Sequence, residues 1–269
     1  MQSILRTIRD FLSKNQDGLG AGKSSPLAIF VDRSQFLAPH DLMRLGTQYG
    51  GWIIPRNHAL TVSSVCYLAG AGEDISFDCA LAKLFCCHVR IVDPTPRAIL
   101  HFKDLCSAVE EKRQFSINRS NADFYDVGSR ELARMCFLPY GLADKDASLR
   151  FYMPKDPSHV SCSTVNLQKT EAYFSAQCYR LTTLLAQNGD TEIDLLKMDI
   201  EGGEYAVIRD LSMTGLLPRI LLIEFDKGHS PLDNNYGERI RECIGLLEKM
   251  GMRCIALEGC NATFVRRGG

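Results

Sequence analysis

The sequence predicts an α/β fold built on a mostly parallel sheet, and three features support that expectation. Short apolar runs of strand type alternate with apolar-periodic helical stretches from residue 64 onward. A glycine turn, Gly70-Ala71-Gly72, joins the first of these strands to the first helix. A second corner, Leu195 to Asp210 (LLKMDIEGGEYAVIRD), passes from a buried strand through acids and glycines into a helix. That is the form of a ligand site at the carboxyl edge of such a sheet.

Composition narrows the class. With 45% hydrophobic and 23% charged residues, the 269-residue chain can bury a sizeable core. Its formal net charge of -1 gives no electrostatic reason to expect nucleic acid or an anionic membrane surface as partner. No apolar run reaches the length of a membrane span, so no stable membrane insertion is expected. The 11 cysteines include no CxxC pair and read as reduced thiols. The first residues are interrupted by Arg6, Arg9 and Asp10 and lack the apolar centre of a signal peptide, so a cytoplasmic protein is expected. The N-x-S/T contexts at Asn118 and Asn261 then read as chance.

In chain order, Ile4, Leu5, Ile8, Phe11 and Leu12 fit a short amphipathic helix, and residues 15–26 a flexible connector. Within the connector, GAGKS resembles a phosphate loop only in part. The required earlier glycine falls on Asp17, and no buried strand precedes it. Leu27 to Val31 reads as a short strand, a helical piece is expected from His40, and Gly50-Gly51 turns into an extended Trp52-Ile53-Ile54. Trp52, the only tryptophan, is expected to pack as a buttress rather than to wall a site.

The alternation then begins. Ser64 to Ala69 is a strand, Ile75 to Phe85 a helix, and His88 to Val92 a second strand ending at Asp93. Pro94 and Pro96 lead into a helix containing Ile99, Leu100, Phe102, Leu105 and Val109. Residues 110–132 read as solvated surface, and Arg134 to Leu142 as a third strand. Ser148 to Met153 and His159 to Thr164 read as an edge hairpin, with Tyr179 to Ala186 starting a helix. Ile193 to Met198 and Arg219 to Phe225 are further buried strands. A helix over Gly237 to Met250 and a closing antiparallel hairpin, Arg253 to Leu257 with Ala262 to Val265, complete seven strands.

A strand, a GAG turn and a helix start place backbone amides where a polarised ligand is favoured. Asp93, 21 residues after Gly72, stands where an acid accepts from ribose hydroxyls. Both features serve nicotinamide dinucleotides and S-adenosylmethionine equally. The third glycine separates them, because its position holds Ile75, a branched side chain where packing over a pyrophosphate wants none. Glu73 and Asp74 would also repel a pyrophosphate, whereas they suit the ammonium of S-adenosylmethionine. S-adenosylmethionine is the cofactor expected.

Five runs together resemble the FkbM-type S-adenosylmethionine-dependent methyltransferases: SVCYLAGAGEDISF, RIVDPTPRA, LPYGLADKDASLRFY, IDLLKMDIEGGEYAVIRDL and ILLIEF. The most specific is the LK-D-EG-E block, matched by Leu196, Lys197, Asp199, Glu201, Gly202 and Glu204. The resemblance implies a class I methyltransferase (Rossmann-like) fold over residues 48–269, behind an N-terminal helical extension and linker over 1–47. Pro94, Gly141 and Asp199 join the glycine turn, Glu73, Asp74 and Asp93 as cofactor-binding positions. Two departures stand out. The family's turn usually reads Asp-x-Gly-Ala-Asn-x-Gly, where this chain begins with Leu68, and its second-strand Glu-Pro is here Asp93-Pro94. The implied activity is O-methylation of a hydroxyl on a sugar, glycan or natural-product acceptor.

Such a hydroxyl is a poor nucleophile and needs a base or a metal beside it. Asp199, Glu201, Glu224 and His229 are the catalytic candidates, while Glu204 reads equally as a helix-end charge. Their oxygens and nitrogen suit a divalent cation, but nothing in the spacing demands one and none is expected. Two other classes compete: a nicotinamide oxidoreductase, opposed by Ile75, and a non-catalytic binding module, suggested by the altered turn and opposed by Asp199 and Glu201.

Overall fold

A computed structural model describes residues 25–118, 120, 122–156, 161–166, 169–225 and 233–267. The expected N-terminal helix, the GAGKS stretch and His229 lie outside these residues.

Residues 26–41 make three single-turn 3-10 helices, followed by an antiparallel hairpin of β1 (Leu42–Leu45) and β2 (Trp52–Pro55). The strand expected at Leu27 to Val31 is instead a 3-10 turn, Pro26–Ile29. Proline presets its first φ, and Ser25 Oγ accepts from the Leu27 amide at 3.1 Å. The piece from His40, expected to be helical, contains β1. Gly46, at φ +85°, bends the chain back so that Arg44 faces Ile53 across the ladder. Arg44 also donates to the carbonyls of Thr47, Gln48 and Gly51 and pairs with Glu258, which braces the loop. The boundary drawn at residue 47 falls inside this hairpin.

The main body follows as β3 (Val65–Ala69), α1 (Ser76–Phe85), β4 (His88–Val92), α2 (Pro96–Glu110), the short α3 (Ser129–Leu132) and β5 (Met135–Leu138). After β6 (Gly141–Leu142), β7 (Ala147–Tyr152) and β8 (Tyr173–Tyr179) come α4 (Leu181–Asn188), β9 (Leu195–Met198), α5 (Glu204–Thr214) and β10 (Ile220–Glu224). The chain ends on α6 (Tyr236–Lys249), β11 (Met252–Glu258) and β12 (Asn261–Arg266).

The fold is α/β around a seven-stranded, mostly parallel sheet in the order β5-β4-β3-β9-β10-β12-β11, with β12 antiparallel to both neighbours. Its central strands are buried on both faces, which is why they read as continuous apolar runs. Tyr67, Leu196 and Met198 point into the core packed by α4, α5 and α6. Leu68, Ile91 and Leu195 point into the one packed by α1 and the β1–β2 hairpin. The chain runs outward from β3 through β4 to β5, then returns to β9 and runs the other way. The carboxyl ends of β3 and β9 therefore flank the topological switch point, where ligands bind in such sheets.

The run from Arg134 to Leu142 is divided at Pro139-Tyr140. Its first half joins the main sheet, and its second half enters a separate three-stranded sheet, β6-β8-β7. The partner of β7 is β8 rather than the 159–164 stretch, from which Ser163 makes a single bridge to Tyr152. Side-chain pairs across the two strands account for that choice: Phe151 stacks on Phe174 at 5.4 Å, and Arg150 lies over the Tyr173 ring. Tyr179, read from sequence as a helix start, ends β8, and α4 begins at Leu181. Among the described residues no helix is long and apolar enough to cross a membrane.

Candidate active site

A cleft opens at the switch point. Its floor is the glycine turn after β3, the Asp93 corner after β4 and the Asp199 to Gly203 turn after β9. Trp52, Phe151, Glu224 and Asn261 contribute its walls. All the expected site positions among the described residues therefore meet in one place.

On the donor side, Gly70 sits at φ +84°, and a Cβ there would come within 1.8 Å of the Asp199 carbonyl oxygen. Only glycine allows that approach, which joins the two turns directly. The buried Asp93 carboxylate accepts from the amides of Ala71 at 2.8 Å and Gly72 at 3.1 Å through Oδ2, and from Thr95 at 2.8 Å through Oδ1. The turn amides expected to meet a ligand are thus held by the acid. Two of the turn's amides are thereby turned away from a ligand phosphate. Glu73 forms a two-point pair with Arg97, at 3.0 and 2.6 Å. Asp74 accepts from Thr47 Oγ1 at 2.6 Å, Asn118 Nδ2 at 2.9 Å and the Ser76 amide at 3.0 Å. Both acids line the cleft, yet their oxygens already serve protein groups, a commitment the sequence did not disclose.

The donor set fits S-adenosylmethionine. Asp93 Oδ1 carries one N–H and retains acceptor capacity for a ribose hydroxyl. Pro94, Gly141, Leu142 and Phe151 give an apolar wall suited to a purine.

Across the cleft from Asp93, the half-buried Asp199, Glu201 and Glu224 each bring an oxygen within 4.8 Å of the others. Three carboxylates so placed can accept from several hydroxyls, take up a proton, or hold a hard divalent cation. Glu201 has φ +54°, an uncommon conformation for a side-chain-bearing residue. Ser163, which is buried, donates through Oγ to the Glu201 carbonyl at 2.6 Å. Beneath the turn, Glu204 is 2% exposed and accepts from the Ile200 amide at 2.5 Å and the Gly202 amide at 2.8 Å. Burial pushes its carboxyl up to about 8, with the Asp199 charge adding to the rise and the amides opposing it. Glu204 is therefore a brace for the acidic turn rather than an exposed helix-end charge.

Sequence reasoning gave Trp52 a packing role. It packs, being buried, and it also lines the cleft, where Lys197 Nζ lies 5.8 Å from its ring centroid. Ser163 was missed because a lone serine in a polar stretch gives no signal without its partner. Tyr49, 75% exposed on the β1–β2 turn at the cleft, was missed for the same reason.

Residues 77–254, more than half of the chain, match the methyltransferase FkbM domain. The chain belongs to that family. Membership makes it a methyltransferase with S-adenosylmethionine as cofactor. Among solved structures, the chain is similar to the Methanococcus jannaschii fibrillarin pre-rRNA processing protein, at 13% identity over 86% of this chain and 84% of that one, with a TM-score of 0.38. It is also similar to M. jannaschii TYW2 in complex with AdoMet, at 12% identity over 84% and 87%, with a TM-score of 0.31. Among curated proteins, none matches the chain.

Proposed function

We propose that this FkbM-family chain methylates a hydroxyl oxygen of a sugar, glycan or natural-product acceptor, with the β1–β2 hairpin and the body that follows it as the catalytic unit. The observation that carries the reading is the convergence of Asp199, Glu201 and Glu224 within 4.8 Å in the cleft that also holds the glycine turn and Asp93. Ionised carboxylates only accept hydrogen bonds, so this end of the cleft suits an acceptor rich in O–H groups. S-adenosylmethionine, when bound, supplies an electrophilic methyl carbon. Asp93 and the apolar wall of Pro94 and Leu142 orient the nucleoside. Asp199, whose backbone touches Gly70, takes the proton from the attacking hydroxyl. Glu201 and Glu224 hold neighbouring hydroxyls and so fix the acceptor's approach. His229, on the segment after β10, keeps its candidacy as a second base from the sequence.

Calorimetric titration with S-adenosylhomocysteine and with NAD tests the reading. Binding of S-adenosylhomocysteine alone is expected. Binding of NAD alone would point to an oxidoreductase, and binding of neither to a non-catalytic module.

A further inference from the structure

Among the described residues, Lys197 is a buried cation with no carboxylate in ion-pair contact. It stands on β9 with its side chain on the face shared by Leu195 and Asp199, is 5% exposed, and lines the cleft. Among the described residues its only hydrogen bond goes to the Gly70 carbonyl, and its only other contact of note is the Trp52 ring. Asp78, buried on α1, lies within reach of its charge but forms no ion pair with it, and Asp78 Oδ1 has no hydrogen-bond partner. In the sheet register, the residue opposite Lys197 on β3 is Leu68, the position where the family's turn usually carries Asp. This chain has the base without the acid.

A buried ammonium with no ion-paired counter-charge is costly; among the described residues only the Gly70 carbonyl accepts from it, and Asp78 acts on it only at a distance. The donor molecule does carry one: its amino-acid end bears a carboxylate. We propose that Lys197 binds the carboxylate of the methionine moiety of S-adenosylmethionine, beside the glycine turn whose carbonyl it also grips. The assignment rests on the methyl-donor reading above. It also answers how the amino-acid end is held in a chain that lacks the acid at position 68. Glu73 and Asp74, which might otherwise be asked to hold that end by its ammonium, are engaged by Arg97 and by Thr47, Asn118 and Ser76. A charge-assisted hydrogen bond in a site this enclosed discriminates strongly between ligands with and without the carboxylate.

The test is calorimetry with three probes: S-adenosylhomocysteine, its decarboxylated analogue, and 5′-methylthioadenosine, which lacks the amino-acid end. Wild-type protein is expected to prefer S-adenosylhomocysteine to the decarboxylated analogue by on the order of 10- to 100-fold, the size of one charged hydrogen bond. Lys197→Met should abolish most of that preference and leave 5′-methylthioadenosine affinity unchanged. A preference that survives in Lys197→Met, or is absent in wild type, overturns the assignment. If Lys197→Met does not fold, Lys197→Gln provides the second arm. It keeps an N–H donor but removes the charge and should lose most of the preference for the carboxylate, and an undiminished preference there overturns the assignment equally. Failure of wild type to bind any of the three nucleosides would instead sink the methyl-donor reading itself.

Discussion

Replacing Glu204 by Gln separates two properties of that residue, its grip on the acidic turn and its proton. Its two oxygens accept from the amides of Ile200 and Gly202 inside the protein. Glutamine keeps one acceptor and turns an NH2 group toward the other amide, leaving a buried donor unpaired at a cost of about 1–3 kcal/mol. The proton acts in the other direction. Burial raises the carboxyl from 4.5 to about 8, above its value in the unfolded chain. The folded state therefore holds a proton that the unfolded state has released, and the stability this group contributes, fully present at acid pH, is lost as pH rises toward 8. At ~1.4 kcal/mol per pH unit, the wild type should lose about 2–3 kcal/mol between pH 6 and pH 8 through this group. Glutamine does not titrate. Glu204→Gln is accordingly expected to be the less stable protein at pH 6 and to match or exceed the wild type by pH 9. Urea midpoints measured across that range at constant m-value will show it. Parallel pH profiles would refute the buried proton, and equal stability at pH 6 would refute the brace.

Three further outcomes follow from the same geometry. Asp199→Asn should lower methyl transfer by at least ~100-fold while S-adenosylhomocysteine affinity stays within about twofold, because the change removes a base and leaves the backbone contact with Gly70 in place; single-turnover rates beside calorimetry check both halves. Gly70→Ala, whose new methyl would lie 1.8 Å from the Asp199 carbonyl oxygen at φ +84°, should cost about 2–4 kcal/mol and abolish cofactor binding, as read by thermal unfolding with and without S-adenosylhomocysteine. Ser163→Ala should cost about 1 kcal/mol and reduce kcat/KM for the acceptor without changing S-adenosylhomocysteine affinity, since it frees the Glu201 carbonyl and leaves the Asp93 corner untouched.

The parallel strands were legible because central strands buried on both faces leave continuous apolar runs, as in IDLLKM and RILLIEF. The glycine turn, Asp93 and the LK-D-EG-E block were legible because each is a short local pattern with a physical reason for its spacing. The remainder depends on partners distant in sequence. Leu42–Leu45 becomes a strand through pairing with Trp52–Pro55, a contact that local periodicity does not record. Tyr173–Tyr179 follows a polar stretch and is fixed by stacking against β7. The engagement of Glu73 with Arg97, 24 residues on, and of Ser163 with Glu201, 38 residues on, turns a set of acids into assigned roles. Lys197 was visible only as one letter of a motif. Its register opposite Leu68 gives that letter a chemical meaning.

The small β6-β8-β7 sheet has a core of its own, with Ala143, Phe151 and Cys178 packed together, and enters the main body between β5 and α4. Phe151, Cys162 and Thr164, from this stretch, face the cleft, while the glycine turn and Asp93 belong to the parallel sheet. Phe151 also belongs to the apolar wall suited to a purine, and Asp199, Glu201 and Glu224 stand on the main sheet, so the insert borders both ends of the cleft. A graft that exchanges the stretch between Leu142 and Leu181 for that of a relative, keeping Phe151 and a hydroxyl donor to the Glu201 carbonyl, is expected to change which acceptors are taken while S-adenosylhomocysteine affinity is kept, a route to new acceptors by exchange of a single insert.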